Sequence, residues 1–283
     1  MSNTEKQSRN RFFSLILSFL LSVFLLVTTT TLVIYGFILN GNGVIGSLRE
    51  TNYYEGIYVR IRDTVGDRLI PTGLPHSIID DAFTPYAVYN DLNEYVSYMF
   101  ANDLPDLQRE SIAEVINYNI DEYLFEIDTS RTEVGYEAID EIVEMIIDNY
   151  NDYVGSQFLA YIARISNVFR SHMLLLIAAG ALGILVTTII IYSVSRRFKH
   201  LTVRYFAISF GSAALMIVIA PLTLRIWGGH HRLGIGPEHV YDFIMTHIER
   251  SISILLLIGA IFTVLYLIFI FISARLRKKL IRV

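Results

Sequence analysis

Four long stretches without a charged residue alternate with polar segments along the chain. The apolar stretches cover residues 12–39, 173–194, 205–224 and 251–274. A helix that crosses a bilayer needs about 20 predominantly apolar residues. Each stretch meets that length, and a kink at Pro221 near the end of the third is tolerable in a membrane helix. The pattern therefore predicts four transmembrane helices.

The first apolar stretch has the basic start of a secretory signal peptide, with Lys6, Arg9 and Arg11 before it. A signal peptide has an apolar core of about 7–15 residues followed by small residues at a cleavage site. Residues 12–39 are nearly twice that length, and Leu39 leads into Asn40 and Gly41 without such a site. We expect this stretch to be kept as a transmembrane helix.

Basic residues predict the orientation of these helices. They concentrate in residues 1–11, 195–204 and 275–283, where Glu5 is the single acid. Lysine and arginine favour the cytoplasmic side of membrane proteins. We expect these three segments, and so both termini, in the cytoplasm of a multi-pass cell-membrane protein. Residues 40–172 and a shorter loop, residues 225–250, would then lie outside.

The predicted outer segment, residues 40–172, is strongly acidic and has a helical pattern. It holds 23 of the 27 acidic residues and eight arginines but no lysine, a balance of −15. Apolar residues recur there at i, i+3, i+4 and i+7, as on the buried face of a helix. About 130 residues suffice for one domain. The expected fold is all-α: four transmembrane helices with an extracytoplasmic helical domain inserted between helices 1 and 2.

Local signals predict several elements of this domain. Ser130 and Glu133 have the spacing of a capping box, and a long helix is expected from Thr132 toward the second span, with a weak point at Gly155. Residues 69–75 should form a loop because they contain two prolines and a glycine. Helices are expected at residues 77–83 and 86–102. Gly41, Gly43 and Gly46 match a dinucleotide-binding spacing without the strand that this motif requires, so they predict a flexible linker.

Histidines concentrate in the second predicted outer loop. His230, His231, His239 and Asp242 are candidate ligands for a divalent metal, since neutral imidazoles and a carboxylate suit zinc and other transition metals. A helix starting near Gly236 would place His239 and Asp242 on one face. The alternative is that these residues lie at the membrane interface, with Trp227 and Tyr241 as aromatic anchors.

The remaining chemistry is sparse. The chain has no cysteine, which excludes disulfides and a thiol nucleophile. Pairs such as Asp80–Asp81 and Asp121–Glu122 lack the ligand order of a calcium loop, and acidic clusters usually form solvated faces. Thirteen of the 18 tyrosines lie within residues 40–172, where they serve either a core or a binding surface. No residue is assigned to catalysis or to an organic cofactor.

Three short motifs resemble those of four-span integral membrane proteins of Gram-positive bacteria. They are Asn52–Tyr53–Tyr54, Gly73–Leu74–Pro75 and Gly236–Pro237–Glu238. The resemblance implies a layout of one span, a tyrosine-bearing outer helical domain and three further spans, and it implies no activity.

The leading functional hypothesis is a non-enzymatic envelope scaffold, sensor or partner-binding protein. Residues 45–170 would contact a protein or the cell wall, the spans would contact the lipid bilayer, and no nucleic acid is expected. One alternative is an oligomeric channel or transporter component. The other is a metal-dependent envelope enzyme that uses the histidine-rich loop.

Overall fold

The computed structural model describes residues 3–103, 109–195, 198–228, 234 and 236–281. The fold is all-α, as expected: the chain is 90% helical, and the described residues contain no strand. Four of the helices are long and apolar enough to span a membrane. In chain order the α-helices are α1 (Asn3–Val33), α2 (Gly41–Glu50), α3 (Tyr53–Leu69), α4 (Pro85–Ala101), α5 (Arg109–Glu126), α6 (Arg131–Val134), α7 (Tyr136–Val154), α8 (Gln157–Ser195), α9 (Lys199–Trp227) and α10 (Glu238–Ile281). A π-helix, Ile34–Ile38, continues α1, and two 3₁₀-helices, Ile70–Thr72 and His76–Ile79, lie between α3 and α4.

The chain divides into two compact units. The span unit comprises Met1–Ile38, Phe169–Leu233 and His247–Val283, and the helical unit comprises Leu39–Val168 and Gly234–Thr246. α8 and α10 are longer than the apolar stretches within them, because each begins in the polar sequence before its stretch. In α10 the first nine residues belong to the helical unit.

Two sequence expectations about the helical unit are wrong. The long helix expected from Thr132 is broken at Gly135, whose φ of 95° lies outside the helical region. The weak point expected at Gly155 is confirmed, since α7 ends at Val154. The expected linker at Gly41 is instead the helix α2. Asn40 caps it by accepting a hydrogen bond from the Asn42 amide (2.9 Å). Val44 and Leu48, one turn apart, are fully buried, so apolar burial outweighs the low helix propensity of the glycines.

The core of the helical unit follows the predicted apolar stripes. In α3, Ile57, Ile61, Val65 and Leu69 are buried. In α7, the buried positions include Ile139, Val143, Ile146 and Tyr150. The helix expected at residues 86–102 is confirmed as α4, whereas the one expected at residues 77–83 is the short 3₁₀-helix His76–Ile79.

One polar pair is buried within this core. The Tyr150 hydroxyl donates a hydrogen bond to Oδ2 of Asp91, which joins α7 to α4. The Tyr150 ring stacks on Phe83, with ring centroids 5.0 Å apart. Buried polar groups are stable only with such partners, so this pair orients the two helices.

In the span unit, α1 packs against α9 through small hydroxyl side chains. Ser14, Ser18 and Ser22 lie one turn apart on α1 and are buried. The Ser209 hydroxyl on α9 donates to the Ser18 carbonyl oxygen (2.9 Å) and to the Tyr205 carbonyl oxygen (3.0 Å). Serine side chains allow helix backbones to approach closely and to hydrogen-bond across the contact. These hydroxyls therefore serve packing.

Glycines in the predicted spans also face neighbouring helices of the same chain. A Cβ atom at Gly180 would lie 2.1 Å from Oγ1 of Thr28, and one at Gly211 would lie 2.8 Å from the Tyr266 ring. Real Cβ contacts are longer than this, so helix packing within the chain requires glycine at both positions.

The π-helix Ile34–Ile38 contacts α10 at His247 and Arg250, just before the apolar stretch of that helix. Nε2 of His247 lies 3.1 Å from the Ile38 carbonyl oxygen, at which distance an Nε2–H group donates a hydrogen bond. The His247 ring stacks on Phe37 (5.2 Å), and the Arg250 guanidinium lies 5.4 Å from the same Phe37 ring. These contacts satisfy a backbone carbonyl at the end of a predicted span.

Candidate functional site

His239, a predicted metal ligand, lies in the first turn of α10 and packs against α3. Its ring meets the edge of Tyr53, with centroids 5.5 Å apart. A Cβ atom at Gly56 would lie 2.6 Å from the His239 side chain, so only glycine fits there. Phe243, one turn later, is fully buried and packs against Tyr53 (5.7 Å). These contacts anchor the start of α10 through an aromatic cluster.

The surroundings of His239 favour its neutral form. Burial lowers the pKa of the imidazole, the nearby charge of Arg60 lowers it further, and Asp242 opposes both effects. A neutral imidazole is the form that packs among aromatic rings and also the form that binds a metal. The protonation state therefore agrees with both interpretations of this histidine.

The metal-site hypothesis involves two residues that the structure describes and two that it does not. His239 and Asp242 lie within the first five residues of α10, whereas His230 and His231 fall outside the described residues. Within the described parts of the chain, no group of three or more histidine or acidic side chains could hold a metal ion. The divalent metal in the second loop therefore stays a prediction.

One member of each acidic pair noted in the sequence forms an ion pair with an arginine. Asp80 forms an ion pair with Arg62 (3.1 Å), and Asp121 forms one with Arg131. Glu141 and Glu144 line an open groove of about 340 Å³, together with Arg68. These carboxylates are exposed to water. They can attract cationic partners through long-range electrostatics.

Five exposed large apolar side chains of the helical unit lie between residues 118 and 136 of the sequence. We define the aromatic surface as Tyr118, Phe125, Ile127, Val134 and Tyr136. Phe125 is 85% exposed, Tyr118 67% and Tyr136 60%. Tyr118 and Phe125 are two turns apart and therefore share one face of α5. Large aromatic rings left in water are typical of contact surfaces.

The chain that carries the aromatic surface is held in place by Arg131. Its guanidinium donates to the Asn117 carbonyl oxygen (3.0 Å), to Oδ1 of Asn117 (3.1 Å) and to Asp121. The predicted capping box is confirmed, since the Ser130 amide donates to Glu133 (3.2 Å). These bonds fix the start of α6 beside α5 and present the exposed rings on ordered backbone.

Exposed carboxylates lie among the members of the aromatic surface. From Tyr118 to Glu137, a segment that the structure describes in full, the exposed carboxylates are those of Asp121, Glu122, Glu126, Asp128, Glu133 and Glu137. Of these carboxylates, Asp121 is the one that forms an ion pair with Arg131. An aromatic face bordered by carboxylates complements a cationic, apolar segment.

Sequence reasoning attributed the tyrosines to this domain but did not distinguish core rings from exposed ones. The i, i+3, i+7 spacing of Tyr118, Asp121 and Phe125 is the signal that could have identified them, because an aromatic pair on an acidic helix face lies outside the core.

Comparison with protein-family models, with curated proteins and with solved structures finds no match to this chain.

Proposed function

We propose that the protein is a non-enzymatic envelope protein whose four spans anchor it in the cell membrane and whose helical unit binds a partner outside. The observation that carries this proposal is the aromatic surface, Tyr118, Phe125, Ile127, Val134 and Tyr136. Burying such rings against a partner would release a large apolar area from water. The surface lies within residues 45–170, the segment expected to make that contact.

The distribution of charge supports the proposed orientation. Three segments outside the spans are rich in lysine and arginine, namely residues 1–11, 195–204 and 275–283. These segments, and so both termini, would face the cytoplasm. The acidic helical unit would then face the outside. An even number of spans is consistent with this arrangement, because it returns the chain to the side from which it started.

The partner that fits best is an envelope protein with a cationic, apolar segment. Carboxylates around the rings would steer such a segment and disfavour acidic competitors. The aromatic rings would supply most of the binding free energy, since aromatic side chains dominate protein interfaces.

Site-specific photocrosslinking in cells tests the proposal. A photoreactive residue at Phe125 or Tyr136 should capture one defined partner, whereas the same residue at Tyr86, which is 74% exposed on α4, should not. Phe125→Ser should abolish the crosslink made from position 136, and Tyr86→Ser should leave it unchanged. Equal crosslinking from position 86, or no discrete product from 125 and 136, would reject the aromatic surface as the binding site.

Orientation is tested separately with single cysteines, because the natural chain has none. A membrane-impermeant maleimide added to intact cells should label Asp128→Cys, whereas Lys278→Cys should be labelled only after permeabilisation. The opposite pattern would place the helical unit in the cytoplasm and overturn the proposed localisation.

A further inference from the structure

The span unit contains an apolar groove to which all four of its long helices contribute. Its volume is about 310 Å³, and its lining includes Leu21, Ile184, Phe206 and Phe269. Phe206 and Phe210 lie 6.2 and 5.5 Å from Phe269, measured between ring centroids, so aromatic rings form one wall. Thr188 supplies the one hydroxyl group of the lining.

Water is a poor occupant for this groove. A stable buried water needs two to four polar partners, and apolar cavities remain dry. An empty groove would also deprive its lining of dispersion contacts. Because the groove lies among helices long enough to span a bilayer, hydrocarbon is the medium that would fill it.

A group of cations lies near one end of the groove. Lys199 is seven residues before Phe206 on α9, which places it on the same helix face about 10 Å away along the axis. The Ser273 hydroxyl donates to the His200 carbonyl oxygen (3.0 Å), so the end of α10 lies beside the start of α9. Arg275 follows Ser273 by two residues and is therefore close to the same end.

Acidic residues are scarce around these cations, and Glu5 is the single one in residues 1–11, 195–204 and 275–283. No aspartate or glutamate occurs in residues 172–237 or 250–283. Lys199 and Arg275 are exposed, and the Arg275 guanidinium lies 4.7 Å from the Phe271 ring. An anionic group from outside the chain would complement both charges. Basic pockets between spans at a membrane surface are suited to lipid phosphates.

The spacing of Lys199, Phe206 and Phe210 along α9 fits within one lipid leaflet. The hydrocarbon core of a bilayer is about 30 Å thick, or about 15 Å for each leaflet. Phe206 and Phe210 lie about 10 and 16 Å from Lys199 along α9. An acyl chain that starts from a phosphate at the cationic end would pass both rings.

We infer that the span unit holds one anionic glycerophospholipid. Its phosphate lies between Lys199 and Arg275, and one acyl chain occupies the groove along Phe206, Phe210 and Phe269. This inference is independent of the aromatic surface and of the partner proposed for it, because it rests on the span unit alone.

Native mass spectrometry of the full-length protein, after delipidation and addition of defined lipids, tests the site. The probes are phosphatidylglycerol and phosphatidylcholine with identical oleoyl chains. The wild-type protein should retain one phosphatidylglycerol in preference to phosphatidylcholine.

Since each cation near a membrane surface contributes roughly a fivefold gain in affinity for anionic lipid, the Lys199→Gln/Arg275→Gln double variant should bind phosphatidylglycerol roughly 30-fold more weakly. Arg225→Gln, which removes an exposed cation at the other end of α9, is the matched control and should bind as the wild type does.

The acyl chain is tested with groove-filling variants. Thr188→Phe should reduce phosphatidylglycerol retention while Lys199 and Arg275 are intact, whereas Ile189→Phe, at a position 55% exposed on the same helix, should not. Glycerol 1-phosphate in excess should fail to displace the lipid, because it lacks the chain. Equal retention of the two lipids, unchanged binding in the double variant, equal effects of Thr188→Phe and Ile189→Phe, or displacement by glycerol 1-phosphate would each overturn the inference.

Discussion

The Tyr150 hydroxyl donates a hydrogen bond to the carboxylate of Asp91 inside the helical unit, and 59 residues separate the two along the chain. Tyr150 is 1% exposed and Asp91 9% exposed. A buried carboxylate that loses its donor is destabilising because it cannot regain the hydrogen bonds of water. This pair therefore determines how α4 and α7 pack.

Tyr150→Phe should destabilise the protein because it leaves Asp91 buried without this donor. The expected loss is about 1–3 kcal/mol in the free energy of unfolding. Thermal unfolding of the full chain in detergent, followed by circular dichroism, measures it. Tyr86→Phe, which removes an exposed hydroxyl, is the control, and equal midpoints for the two variants would contradict the role assigned to the pair.

Alkaline pH should destabilise the helical unit through its buried tyrosines. Burial raises the pKa of Tyr150 above its ordinary value of 10.0, and Asp91 raises it further. Burial likewise raises the pKa of Tyr54, with a smaller increase from Tyr89. The folded protein thus holds these protons more tightly than the unfolded chain does. The resulting stability is fully present below about pH 10 and is lost as pH rises toward the folded-state values.

The measurement is the unfolding midpoint as a function of pH, with tyrosinate absorbance recorded in parallel. Stability should fall above about pH 10, and the Tyr150→Phe variant should show a shallower fall. A midpoint that stays constant to pH 12 would be inconsistent with the raised values.

Gly56→Ala should destabilise the contact between α3 and α10. The added Cβ atom would lie 2.6 Å from His239, which is closer than real Cβ contacts allow. Overpacking of this kind costs about 1–3 kcal/mol, more than the helix propensity gained from alanine. Adding His239→Gly should relieve the clash, because it removes both the Cβ atom and the ring, so the double variant should lose less stability than the sum of the two single variants. Independent, additive effects of the two substitutions would show that the residues are not in contact.

His239 also distinguishes the packing interpretation from the metal hypothesis. Binding of a divalent metal by the second loop predicts that His231→Ala and His239→Ala both lower the metal content of the purified protein, measured by elemental mass spectrometry. Packing alone predicts that His239→Ala lowers the unfolding midpoint and leaves the metal content at the level of the wild type. We expect the change in midpoint, since the His239 ring packs against Tyr53 with centroids 5.5 Å apart.

Ser18→Leu should weaken the packing of α1 against α9. Ser18 is fully buried, and its carbonyl oxygen accepts the Ser209 hydroxyl at 2.9 Å. A larger side chain would separate the two backbones, with an expected loss of about 1–3 kcal/mol. Ser18→Ala keeps the small volume and should change stability little. The unfolding midpoint in detergent measures both, and a larger loss for alanine than for leucine would refute the packing argument.

The sequence predicted the parts of the fold that follow from composition and periodicity. Uncharged stretches of bilayer length identified the four long helices, and the recurrence of apolar residues at i, i+3, i+4 and i+7 agrees with the buried face of α7, which includes Ile139, Val143, Ile146 and Tyr150. The capping box at Ser130 was also correct, because two side chains at fixed spacing satisfy backbone donors locally. These features depend on neighbours within one or two turns.

The remaining features depend on contacts between residues distant in sequence. α2 was expected to be a linker because its three glycines have low helix propensity, yet Val44 and Leu48 are buried by tertiary packing. The break at Gly135 depends on a backbone conformation that composition does not reveal. The groove beside Phe206 requires four helices to be arranged in space, so no single segment could have indicated it.

The hydrogen bond between His247 and the Ile38 carbonyl oxygen has a consequence for biosynthesis. The two residues are 209 positions apart, and a ribosome adds residues at about 5–20 per second. The carbonyl at the end of the first span therefore waits roughly ten seconds or longer for its donor. Until then an alternative partner or a local rearrangement must satisfy it, so the geometry of the first span is completed only when the last one emerges.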